Sequence, residues 1–177
     1  MGRVTKMEQS LGESALGGVI LLRHGVAEPR DEKTHDDDRS LTADGHKKMK
    51  ENARGLMQLY PDIDAIYSSP LLRALQTALW VSKAYGKKVK VGVTEVLRPD
   101  GDQRDVGRFL EPHAGKLVML VGHEPALTAT MRHLAGLGGK GKLELRKGGC
   151  YVLRVEEQAT LLDAMLTPRI LRAAARK

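Results

Sequence analysis

Leu117-Val118-Met119-Leu120-Val121 is the most apolar run in the chain, and Val19-Ile20-Leu21-Leu22 is a second unbroken aliphatic stretch. Neither alternates with polar residues, so neither reads as a strand with one face in water. Short runs of this kind are buried strands, and strands buried on both faces belong to a sheet covered by helices on each side. Both runs also stop abruptly at chemistry. The run from Val19 ends at Arg23-His24-Gly25 and the run from Leu117 at Gly122-His123-Glu124-Pro125. Open α/β sheets deliver their chemistry from the carboxyl ends of the strands.

The segments between and around these runs alternate in type. After Gly25 a polar stretch, residues 28–40, reads as a long surface loop over the strand end. Thr42 then caps a helix marked by Met49, Ala53, Leu56, Met57 and Tyr60, closed by Pro61. A short strand over 65–67 ends at Ser68-Ser69-Pro70, where Ser69 is expected to cap and Pro70 to take the first helical position. Leu71, Leu72, Leu75 and Leu79 form that helix's expected apolar stripe, with Gly86 ending it. Val89, Val91 and Val93 alternate as an edge strand would, and residues 105–112 have room for a short helix. Pro125 opens a helix to about Gly136, and residues 150–155 and 160–166 read as a hairpin, followed by a short basic tail from Pro168. The expected architecture is a three-layer α/β/α domain with a mainly parallel central sheet over residues 18–177, preceded by a flexible tail over 1–17.

The chain has 177 residues, enough for one domain with a proper core. Its 29 Lys and Arg against 22 Asp and Glu give a net charge of +7, which suits acidic partners: a phosphorylated substrate, an acidic protein surface or nucleic acid. Aromatic residues are only 3% of the chain, so the stacking platforms of single-stranded nucleic-acid binders are scarce, which argues against nucleic acid. The single cysteine, Cys150, excludes an internal disulfide and a multi-cysteine metal site, and reads as a small core hydrophobe. With no signal-peptide pattern and no apolar segment of bilayer length, the expected location is cytoplasmic, with no membrane partner.

Three strand ends carry complementary groups: Arg23 and His24, then Arg73 one helical turn past Ser69, then His123. In a parallel sheet these ends lie side by side, and two guanidiniums with two imidazoles cradle a tetrahedral dianion. Helix N-termini after Pro70 and Pro125 would add backbone donors. His35 with Asp36, Asp37 and Asp38 lacks calcium-loop spacing and reads as a solvated loop. His46, His113 and His133 read as structural, and Arg169, Arg172, Arg176 and Lys177 as basic residues that complement a helix C-terminus.

With these residues in place, the chain resembles the histidine phosphatase superfamily (the phosphoglycerate mutase-like fold), and within it the small SixA-type phosphohistidine phosphatases. The matching residues are Leu22-Arg23-His24-Gly25, Arg39 with Leu41-Thr42 and Gly45, Ser68-Ser69-Pro70-Leu71 with Arg73-Ala74 and Gln76-Thr77, Pro99 with Gly101-Asp102, and Val121 through Pro125. Leu166-Thr167-Pro168 resembles the family's C-terminal end. Jointly these motifs are specific, although any one alone is weak.

The resemblance implies a covalent mechanism that uses no metal and no other cofactor. His24 would be the nucleophile, forming a phosphohistidine intermediate that water hydrolyses to inorganic phosphate. Arg23, Arg73 and His123 would hold the non-bridging oxygens, with Arg39 as a further phosphate contact. Asp102 is the first candidate for the leaving-group acid, with Glu95 or Glu28 behind it. A phosphohistidine substrate needs less of an acid, because its P–N bond is labile. The expected substrate is therefore a phosphorylated protein, such as a histidine-containing phosphotransfer domain. Small phosphomonoesters, such as sugar or nucleotide phosphates, are the alternative on the same fold, and a non-catalytic phosphate- or nucleic-acid-binding module is the alternative from another class.

Overall fold

Both aliphatic runs lie at the centre of one six-stranded sheet. The computed structural model describes residues 17–138 and 141–176, so the expected tail lies outside the described residues except for Gly17. The strands are β1 (Gly18–Arg23), β2 (Ala65–Ser68), β3 (Val91–Val93), β4 (Leu117–Gly122), β5 (Cys150–Val155) and β6 (Thr160–Leu166), in the order β3-β2-β4-β1-β5-β6. The first four run parallel, β5 is antiparallel to β1, and β5 and β6 form the expected hairpin. Among the described residues five α-helices cover the sheet: α1 (Ala43–Leu59), α2 (Leu72–Ala84), α3 (Gln103–Leu110), α4 (Ala126–Leu134) and α5 (Pro168–Ala174).

Side chains of a strand alternate between its two faces, and here each face has its own core. Ile20 and Leu22 of β1 and Met119 and Val121 of β4 pack with Met49, Ala53, Leu56, Ala74, Ala78, Val81 and Leu171 from α1, α2 and α5. Val19, Leu21, Val118 and Leu120 pack on the other side with Val106, Leu127 and Met131 from α3 and α4. This double burial is why neither run shows polar alternation. Cys150 is fully buried in β5, as a core residue.

Three local expectations are corrected. Helix α2 starts at Leu72, two residues later than Pro70 implied, with Ser69 Oγ accepting the Leu71 N–H at 3.3 Å. Its buried face is Ala74, Thr77, Ala78 and Val81 rather than the leucine stripe, and Leu79 is 52% exposed. Small residues let this helix sit close to the sheet, so leucines are not needed on the inner face. The segment from Pro168 is a helix: the Thr167 hydroxyl accepts the Ile170 N–H, Pro168 occupies the first turn, and Leu171 is buried. It lies so close to α1 that a Cβ on Gly55 would come within 1.8 Å of the Leu171 carbonyl oxygen.

Candidate active site

Strand register alone brings the two histidines together. Arg23 of β1 pairs with Gly122 of β4, and the His24 N–H donates to the Gly122 carbonyl at 3.0 Å. The rings of His24 and His123, each one residue further on, have centroids 5.1 Å apart. On the other side of β4, Ser68 pairs with Val121, which carries Ser69 Oγ to 2.9 Å from His123 Nε2. Ser69 Oγ accepts the Leu71 N–H and shares a hydrogen bond with His123 Nε2, which leaves Nδ1 of His123 without a partner among the described residues.

The tautomer of His24 is set by its own loop. Nδ1 lies 2.7 Å from the Gly25 carbonyl oxygen, so it carries the proton and Nε2 carries the lone pair. Burial first, then coupling to the neighbouring His123 ring and the charges of Arg73 and Arg23, push His24 down to about 3, so the ring is neutral at physiological pH. His123 is likewise lowered to about 3, by burial first and Arg73 next. The peptide around His24 is held from three sides. The Gly25 N–H donates to Thr77 Oγ1 at 3.0 Å, and the Thr77 hydroxyl donates to the Arg73 carbonyl at 2.7 Å. The Gly148 N–H donates to the carbonyls of Arg23 and His24, while buried Asn52 of α1 donates to the Gly148 carbonyl at 3.0 Å. Gly25 itself is needed for close approach, because a Cβ there would stand 2.5 Å from Met49 Cγ.

Four buried polar atoms have no hydrogen-bond partner among the described residues: Arg23 Nε, Arg73 Nε, His123 Nδ1 and Glu124 Oε1. The two guanidinium N–H groups are obligate donors, and with His123 Nδ1 they belong to side chains whose charges or rings act on His24, where unsatisfied polar atoms are costly unless a ligand takes them. The rest of the Arg73 guanidinium is engaged: Nη1 donates to the Asp36 carbonyl at 2.6 Å and Nη2 to Asp36 Oδ2 at 3.0 Å. Asp36 Oδ1 also accepts from Arg30 and Arg39, each at 2.9 Å. Burial works to raise the Asp36 carboxyl, but the Arg73 charge and these hydrogen bonds prevail and hold it at about 2. The acidic run is therefore more than a solvated loop, since Asp36 fastens it to Arg73 and Asp37 pairs with Arg98 at 2.5 Å. Arg39 reaches the cluster through Asp36 and also donates to the Glu28 carbonyl at 2.7 Å.

The expected acids fare differently. Asp102 is the N-cap of α3, and its carboxylate accepts from the backbone and guanidinium of Arg104. Those hydrogen bonds lower it to about 2 and commit the carboxylate to the helix cap and to Arg104. Glu95 is 76% exposed with Arg98 Nη1 at 3.5 Å, and the Glu28 side chain is exposed. Glu124, which sequence reasoning passed over, follows His123 directly. Burial raises its carboxyl against the opposing pull of Thr128 and Arg23, so it holds its proton more readily than an exposed glutamate. An acidic residue between the second histidine and Pro125 was the available signal.

His46 accepts from Trp80 Nε1 at 3.0 Å, and His113 pairs with the Tyr67 hydroxyl at 2.8 Å. Among the described residues no group of three or more His, Cys, Asp and Glu is arranged to hold a metal ion, and no helix is long and apolar enough to cross a membrane.

Known proteins with this pattern can now be compared. The family model described as "Histidine phosphatase superfamily (branch 1)" matches residues 19–98. An uncharacterized protein of Picosynechococcus sp. is 36% identical over 144 residues, covering 77% of this chain and 84% of that protein. A tungstate complex of the protein histidine phosphatase SixA superposes with a TM-score of 0.76 at 23% identity, over 87% of this chain and 99% of that one. A phosphoserine phosphatase mutant from Entamoeba histolytica, bound to phosphoserine, superposes with a TM-score of 0.70 at 19% identity, over 88% and 99%. At these identities the superpositions speak for the fold.

Proposed function

Since the chain belongs to the histidine phosphatase superfamily and is a phosphatase, we propose that it removes phosphate from phosphohistidine in a protein, through a covalent intermediate on His24 and without a metal. The observation that carries this reading is the state of His24: neutral, Nδ1 committed to the Gly25 carbonyl, Nε2 free, and unpartnered nitrogens of Arg23, Arg73 and His123 around it. The Nε2 lone pair attacks phosphorus, and the new N–P bond forms as the substrate's P–N bond breaks. The electron pair leaves with the substrate imidazole, which takes up a proton. Water then attacks the phosphorus on His24, releasing inorganic phosphate and restoring the neutral ring. Arg23, Arg73 and His123 stabilise the charge on the non-bridging oxygens in both steps, with Arg39 held nearby by Asp36.

The substrate class rests on the acid. With Asp102 committed to Arg104, a leaving group that departs readily is favoured, and a phosphoramidate supplies one. The setting we propose is phosphotransfer signalling in the cytoplasm. The test is phosphate release from a phosphohistidine-bearing protein, in chelator, by wild type and His24→Ala. Release by wild type that falls to the uncatalysed rate in the variant is expected, and no release by wild type would overturn the substrate class.

A second reading, hydrolysis of small phosphomonoesters, is favoured by Glu124, which follows His123 directly and whose buried Oε1 has no partner among the described residues; burial raises its carboxyl, the direction a leaving-group acid needs. On that reading Glu124→Gln slows an alkyl phosphate by about 100-fold. Phosphohistidine cleavage should change little.

A further inference from the structure

The nucleophile loop forms one wall of a second feature. A cleft of about 290 Å³ opens beside Gly25, and five cations line it: Lys48 from α1, Arg146 and Lys147 from the loop before β5, and Arg169 and Arg172 from α5. No carboxylate is among its lining residues. Lys48 pairs with Asp44 at 2.6 Å and Arg172 donates to Asn52 at 3.2 Å, whereas Arg146, Lys147 and Arg169 have no ion pair among the described residues. Like charges gathered without counter-charges repel one another, and an anionic occupant relieves that repulsion.

The cleft adjoins the His24 loop through Gly25 and Val26, and Lys147 within it is lowered by partial burial and then by the charges of Arg23, Arg39 and Arg73. Four of the five cations are exposed and they come from three separate elements. A small second anion would be met by one or two buried donors. Several solvated cations spread over three elements instead suit several carboxylates on a protein surface, and the scarcity of aromatic residues disfavours nucleic acid. We infer that this cleft docks an acidic segment of the phosphorylated protein, beside the phosphorylated residue, so that acidic flanking sequence selects the substrate. The inference rests on the phosphoprotein reading above.

The test uses two phosphohistidine peptides of equal length, one with glutamates flanking the histidine and one with glutamines. Wild type should cleave the glutamate peptide with kcat/KM about 10-fold higher at low salt, through KM, and the preference should fade as salt rises. The double charge reversal Arg146→Glu with Arg169→Glu should abolish the preference, while phosphoramidate turnover reports that the cradle is intact. Equal kcat/KM for the two peptides overturns the docking inference and leaves the phosphohistidine reading standing. Release from neither peptide overturns both. A glutamate preference that persists in the double variant, or competition by an oligonucleotide as strong as that by a glutamate peptide, also overturns the docking site.

Discussion

The nucleophile proposed at His24 has to be a neutral imidazole, and burial, the first cause, lowers this ring to about 3. With His24 and His123 both near 3, neither titration should limit kcat/KM between about pH 5 and 8, where an unperturbed histidine would. Stability carries the complementary signature. Between the ordinary histidine value of 6.5 and about 3, the unfolded chain binds protons that the native rings refuse, so native stability falls as pH drops through that window and is flat above it. Urea unfolding at about pH 4.5 and 7.5 should show this difference, and it should shrink when His24 and His123 are both replaced by asparagine. Asp36 acts through Arg73 and Arg39 as a positioning residue. Asp36→Asn should lower kcat by about 10-fold, less than the ~100-fold expected for Arg73→Ala, because the guanidinium remains but loses its anchor. Partial recovery in Asp36→Glu would separate positioning from a general loss of fold.

Elements whose pattern is local were legible in the sequence. The runs ending at Leu22 and Val121 declared themselves as central strands, and Thr42 caps α1 by accepting the Gly45 N–H at 2.9 Å, as expected. The inner face of α2 was not legible, because Ala74, Ala78 and Thr77 are chosen for closeness and for the bond to Gly25, which hydrophobicity does not report. Asp36 was missed for another reason: its partner Arg73 lies 37 residues away, and an acidic run with a distant cation looks like any solvated loop. The last helix had its signals, with Thr167 before Pro168 and Leu171 one turn on, yet its basic residues masked them. That helix depends on the close approach at Gly55. Gly55→Val should cost about 3 kcal/mol, at the upper end for overpacking, since the obstruction is backbone of α5, and urea unfolding measures it.

At the scale of the whole molecule, the sheet order does the assembling. Strands β2, β4 and β1 lie side by side in parallel, so Ser69, His123 and His24 follow three adjacent strand ends although they are far apart in sequence. Parallel pairing of apolar runs made that neighbourhood readable from the sequence. The loop before β5, which sets Gly148 against the His24 carbonyl and Lys147 in the field of the cradle, was not readable, because only the fold brings it there. The net charge of +7 becomes specific in the same way, as cations collected beside the nucleophile. The central claim is a covalent intermediate on His24, and the most direct measurement is rapid quench at alkaline pH of the enzyme with a radiolabelled phosphohistidine protein, followed by peptide mapping. Label on the peptide containing His24 in wild type, and none in His24→Ala, is the predicted result. Release of phosphate by His24→Ala at the wild-type rate would contradict it.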